Sequence, residues 1–124
     1  MSRTGGKGKG GGVIVEKSTA REYNRPMKRE RIVRTLKRHE RNLRARGARA
    51  LYLFGSAARN EAGGKSDVDL FMDRYRNRTF GLVDLVGLRF YAEGLLGRKV
   101  DLLPREGLHR ALRRRIEAGA VRIF

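Results

Sequence analysis

The stretch FGSAARNEAGGKSDVDLF, Phe54–Phe71, contains two different ways of gripping a phosphate. Gly64-Lys65-Ser66 has the ending of a P-loop, where a lysine and glycine-rich backbone cradle a nucleotide. Gly55-Ser56, followed by Asp67 and Asp69, has the make-up of a site that holds a nucleotide through metal ions on carboxylates. The choice decides the fold, because a P-loop opens a helix whose N–H groups face the phosphate, whereas the acids of the second arrangement sit on a strand.

The P-loop fails on spacing and on context. Its first glycine would fall at position 59, which is Arg59. The residues after Ser66 alternate as a strand does, Asp67-Val68-Asp69-Leu70-Phe71. Gly63-Gly64-Lys65-Ser66 is therefore a polar turn. On a strand over Asp67–Met72, Asp67 and Asp69 share a face with Cα atoms about 6–7 Å apart. Val68, Leu70 and Met72 then point into the core. Two carboxylates so held repel unless a cation or a proton intervenes. Oxygen ligands of this kind suit Mg²⁺. The same Asp-x-Asp pattern also fits a plain solvated strand edge.

The neighbourhood favours chemistry. Ala50–Phe54 is an apolar run that forms a buried strand, and Gly55-Ser56 joins it to a short helix over Ala57–Glu61. Glycine lets backbone N–H groups approach an anion, and the Ser56 hydroxyl either adds a donor or caps the helix. A third acid, Asp101, lies in the strand Lys99–Leu103, facing away from Val100 and Leu102. If the two acid-bearing strands are neighbours, Asp101 joins Asp67 and Asp69, to hold a metal or to accept a proton. Asp84 is expected as a surface charge on a helix, and Asp73 as a turn or cap residue. His39 and His109 have no second ligand at metal spacing, so both are expected to serve surface or packing roles. Tyr52, Tyr75 and Tyr91 are expected to pack, with self-modification of a tyrosine as the alternative.

Outward from this centre, Pro26 opens a helix running to about Arg46, stopped by Gly47, with Ile32, Leu36 and Leu43 on one stripe. Phe80–Leu96 is an amphipathic helix on Leu85, Leu88, Ala92 and Leu95, with Leu82 and Val86 beside them. Leu108, Leu112 and Ile116 mark a last helix closed by Gly119, and Val121–Phe124 is a short strand or core plug. The order predicts a small α/β domain, a mixed sheet flanked by helices, over 26–124. Residues 1–25 are expected to be a flexible arm with a short apolar patch at Val13-Ile14-Val15; six glycines lie in 1–12.

The net charge of +17 is uneven: residues 1–49 hold 16 Lys and Arg against 4 Asp and Glu. Such a basic region suits nucleic acid or an acidic protein. With no cysteine there are no disulfides and no thiolate metal sites, as befits a cytoplasmic protein. No apolar run approaches the roughly 18 residues of a membrane span, and no secretory signal is visible.

Gly55-Ser56, ten intervening residues and Asp67-x-Asp69 resemble the signature of the nucleotidyltransferase superfamily that includes DNA polymerase beta. Gly-Ser-Ala-Ala-Arg with Ser-Asp-Val-Asp-Leu resembles the minimal nucleotidyltransferases, antitoxins paired with HEPN-domain ribonuclease toxins. Lys-Val-Asp-Leu-Leu at 99–103 resembles that family's third-acid strand, and Leu108–Phe124 its C-terminal helix. The likeness spans about residues 28–124. It implies a nucleotidyltransferase fold and two Mg²⁺ ions on Asp67, Asp69 and Asp101. It implies nucleotide phosphates held by Gly55 and Ser56, with Arg59 either contacting phosphate or covering the helix. It further implies transfer of AMP from ATP to a tyrosine of the partner toxin. The family usually has glycine where this chain has Asn60; asparagine tolerates left-handed backbone better than most residues. Two other functions fit the residues less fully. One is a non-catalytic module that neutralises its partner by contact, and the other is nucleic-acid binding through Lys28–Arg49. Antibiotic nucleotidylation needs a second domain for which the chain has no room.

Overall fold

The computed structural model of the chain describes residues 27–61 and 67–124. The expectations for the arm at 1–25, for Val13-Ile14-Val15 and Pro26, and for the Gly63-Gly64-Lys65-Ser66 turn lie outside the described residues.

The basic N-terminal helix is broken in two, α1 (Arg29–Arg38) and α2 (Glu40–Ala45), rather than continuous as expected. The break has a local cause. The His39 N–H bonds to the Leu36 carbonyl, one residue short of helical spacing, while the His39 ring lies 3.0 Å from the Thr35 carbonyl. The apolar stripe survives the break, with Ile32, Leu36 and Leu43 all buried. Gly47 follows at φ 119°, where a Cβ would come within 2.6 Å of the Phe80 ring, so glycine both turns the chain and admits the aromatic.

Strand β1 (Ala48–Phe54) then leads straight into α3 (Gly55–Ala58), a single turn. Strand β2 (Val68–Arg74) returns antiparallel to β1. Helix α4 (Leu82–Leu96) carries the chain to β3 (Val100–Pro104), which lies parallel to β2. A 3₁₀ turn (Arg105–Gly107), α5 (Arg113–Gly119) and β4 (Val121–Arg122) complete the chain. The four strands run β3-β2-β1-β4, with β4 antiparallel to β1. This is the expected mixed sheet.

Strand alternation divides the sheet. Leu51, Leu53, Val68, Leu70, Met72, Val100 and Leu102 enter the core, against Ile32 and Leu36 of α1 and Leu88 and Ala92 of α4. Ile123 and Phe124 are buried as well, so the C-terminal tail is both a short strand and a core plug. The other face carries Tyr52, Phe54, Asp69, Phe71, Asp73 and Asp101 by the same parity. Helix α5 lies against β1 and α3.

Two amphipathic expectations are corrected. Leu82 is 75% exposed, not packed beside the stripe, because α4 begins at Leu82 itself and its first turn overhangs the core. Leu112 is 46% exposed, because residues 105–112 are spent on the 3₁₀ turn and further turns, and α5 starts only at Arg113.

Candidate active site

The site starts from Gly55. Its φ of 75° is left-handed backbone, and a Cβ placed there would collide with the Asp69 carboxylate, whose Cγ lies 3.2 Å from that position. Glycine is thus required twice, for the turn out of β1 and for the closeness of Asp69. The β1–β2 register explains the approach, since Phe54 pairs with Asp69. The parallel β2–β3 register pairs Asp69 with Asp101, bringing the expected third acid onto the same face. The position of Asp101 is fixed from behind, where Glu93 at the end of α4 accepts the Val100 N–H at 3.0 Å.

Asp67 stands one residue before β2 and is exposed; Asp69 is half-buried; Asp101 is exposed. Burial first, then the negative charges of Asp101 and Asp67, push the Asp69 carboxyl above its ordinary range. Asp69 therefore feels both neighbouring acids. Among the described residues no group of three or more His, Cys, Asp or Glu is gathered closely enough to hold a metal ion by itself. The donor set still fits Mg²⁺, which binds through one or two carboxylates and completes its shell with water and substrate phosphate. The repulsion at Asp69 is what a divalent cation would relieve.

Ser56 does not cap a helix. The N-cap of α3 is Phe54, with no side-chain cap bond, and α3 covers Gly55–Ala58 rather than Ala57–Glu61. The Ser56 carbonyl accepts the Glu61 N–H at 2.8 Å, closing the turn. Because α3 is one turn long, an anion at Gly55-Ser56 would meet individual amides rather than a helix dipole. Arg59 is exposed and paired with Glu61 at 3.0 Å. Asn60 adopts φ 61°, the left-handed conformation a glycine would supply. Its Oδ1 also accepts the Arg29 N–H at 3.1 Å, and the Arg29 guanidinium donates to the Ala58 carbonyl at 3.0 Å. Asn60 therefore ties the turn after α3 to the start of α1.

Asp73 is neither a turn nor a cap residue. Arg105 grips it with two donors, at 2.8 and 3.0 Å, and reaches Glu117 of α5 at 2.8 Å. The Arg105 hydrogen bonds are the main cause holding both Asp73 and Glu117 below the usual carboxylate range. The same guanidinium lies over Tyr52 and Phe71, themselves stacked with centroids 4.7 Å apart. Sequence reasoning missed this clamp. Its one signal was parity, which puts Asp73 on the face of Asp69. Asp84 is exposed as expected, and its carboxylate caps α4 by accepting the Gly81 N–H at 2.8 Å. The His109 ring accepts the Ala111 N–H at 3.2 Å, a local turn contact.

The fold is a small α/β domain whose mixed sheet sets a glycine turn against in-register acids. The chain matches the nucleotidyltransferase domain family over residues 30–123, and belongs to it as a minimal nucleotidyltransferase, an enzyme. Protein adenylyltransferase MntA of Thermococcus cleftensis is 39% identical over 80 residues, 64% of this chain and 79% of that protein. A candidate protein adenylyltransferase of Methanocaldococcus jannaschii is 36% identical over 78 residues, 63% and 82% of the two chains. The solved structure of a candidate minimal nucleotidyltransferase superposes with a TM-score of 0.57 at 34% identity, covering 90% of this chain and 98% of that one. A toxin–antitoxin crystal structure with AMP-PNP shares the fold, at a TM-score of 0.59, 19% identity and coverage of 71% and 72%.

Proposed function

We propose that this enzyme transfers AMP from ATP to a tyrosine hydroxyl of a HEPN-domain toxin and so acts as its antitoxin. The observation that carries the reading is the Gly55–Asp69–Asp101 arrangement, with the Asp69 carboxylate against Gly55 and in register with Asp101. The relatives point the same way. MntA of Thermococcus cleftensis is named a protein adenylyltransferase, and the similar folds include an MNT antitoxin in complex with an AMPylated HEPN toxin of Shewanella oneidensis.

In this scheme Gly55 and Ser56 hold the terminal phosphates of ATP, and Asp67, Asp69 and Asp101 are the residues that would hold Mg²⁺. When bound, the metal supplies positive charge against the triphosphate. Asp101, exposed to an incoming acceptor, takes the tyrosine proton. The tyrosine oxygen bonds to the α-phosphorus in line, the bond from that phosphorus to the bridging oxygen breaks, and pyrophosphate leaves. An ATP-dependent reaction of this kind belongs in the cytoplasm. Among the described residues no helix is long and apolar enough to cross a membrane.

The test is to incubate the protein with ATP, Mg²⁺ and a HEPN toxin of proven ribonuclease activity, then map modification by mass spectrometry. AMP on a toxin tyrosine, lost with Asp67→Ala/Asp69→Ala, is the expected result. Neutralisation undiminished in that variant would mean silencing by contact alone.

A further inference from the structure

The sheet face that carries the acids has a second, oppositely charged end. Asp69 and Asp73 lie four residues apart on β2, about 13 Å at strand rise. Beyond Asp73 the surface opens into a cavity of about 400 Å³. Five arginines line it: Arg49, Arg74, Arg76, Arg105 and Arg113. Only Asp73 and Glu106 oppose them among its lining residues.

These arginines are not equivalent. Arg105 is committed to the clamp, held by Asp73 and Glu117, and Arg113 also reaches Glu117 at 3.3 Å. The outer three are more exposed, and Arg49 also donates to the Arg74 carbonyl at 3.3 Å. Arg49 stands 3.7 Å from Asp73 and Arg74 3.3 Å from Glu106, with arginine side chains 48% and 43% exposed. Exposed pairs like these are weak in water and readily exchanged for a stronger anion. Arg76 is exposed and makes no ion pair among the described residues. Planar guanidinium forks bind phosphate oxygens in pairs, which favours phosphate over a simple point anion.

We propose that this cavity is a second anion site, binding the phosphate group of a nucleotide, free or at the end of a strand, through Arg49, Arg74 and Arg76. It is separate from the catalytic phosphate position at Gly55-Ser56 and needs no metal. The rigid clamp beneath it, Arg105 on Asp73, fixes the floor, and the exposed arginines close over the ligand.

The test is calorimetric titration of the full chain in EDTA with AMP, inorganic pyrophosphate, a 5′-phosphorylated trinucleotide and adenosine. Wild type is expected to bind phosphate-bearing probes and not adenosine. Arg49→Ala/Arg74→Ala/Arg76→Ala is expected to weaken that binding about tenfold or more and to flatten its salt dependence. Asp69→Asn/Asp101→Asn is expected to leave it unchanged, which separates this site from the catalytic one. Equal binding of AMP and pyrophosphate identifies a free phosphate ligand, and tighter binding of the trinucleotide identifies a strand end. The proposal is overturned if no probe binds, if the triple variant binds as wild type does with unchanged melting, or if binding is lost in the Asp69/Asp101 variant. It is also overturned if a glutamate-rich peptide competes as well as AMP, because the cavity would then serve protein carboxylates.

Discussion

At Gly55 a single methyl group is enough to disturb the site. Gly55→Ala places a Cβ against Asp69 and strains a φ of 75°. It should cut nucleotidyl transfer by about a hundredfold, the usual consequence of an ångström-scale misplacement, with a stability loss of about 1 kcal/mol. Asp69 itself is predicted to oppose folding. Its folded-state pKa is raised, so the folded chain binds that proton more tightly than the unfolded chain, and stability falls as pH rises from the unfolded value through the raised one. Asp69→Asn should therefore raise Tm at neutral pH without metal, show no gain below the ordinary Asp range, and abolish transfer. Calorimetry across pH with a parallel transfer assay measures both. At position 60, Asn60→Gly keeps the left-handed turn but loses the bond to Arg29, and should cost about 1 kcal/mol with turnover retained. That Asp69 and Asp101 each face away from the core was legible from strand parity, and the glycine turn from the end of the apolar run, whereas their pairing depends on the β2–β3 register. The second role of Asn60 was not legible, because its partner lies 31 positions away.

Among the elements, α5 is held to the sheet by the clamp rather than by a deep apolar stripe. None of its residues is fully buried. Arg105→Ala should destabilise the fold by about 2 kcal/mol, the scale of charge-assisted hydrogen bonds. Arg105→Lys should recover only part of this, since an ammonium cannot reproduce the fork on Asp73. Asp73 and Glu117 have lowered folded-state pKa values, so the stability they add is present above the ordinary carboxylate range and is lost as pH falls through the lowered ones. The Tm gap between wild type and Arg105→Ala should narrow in acid, which a melting series in pH checks. Leu108, Leu112 and Ile116 suggested a conventional helix because four-residue spacing carries no information about where the chain must turn to deliver an arginine. The split at His39 was hidden for a related reason, since an apolar stripe continues across a one-residue break.

At the scale of the whole molecule, the sheet separates two jobs. One face, under α1 and α4, is the core. The other runs from the acids at Gly55, across the Tyr52–Phe71 stack, to the arginine end. The mixed sheet and its order of elements were readable from hydrophobic periodicity, whereas the use of the second face depends on register, which no single stretch of sequence discloses. The central claim is that Gly55, Asp69 and Asp101 form a nucleotidyl-transfer site. It is tested most directly by following ATP labelled at the α- or the γ-phosphate with Mg²⁺ and the HEPN partner. α-Label is expected to become attached to the partner protein while γ-label leaves as pyrophosphate, and Asp69→Asn/Asp101→Asn is expected to abolish both. Transfer of γ-label to the partner, or α-label transfer undiminished in the double variant, would contradict the claim.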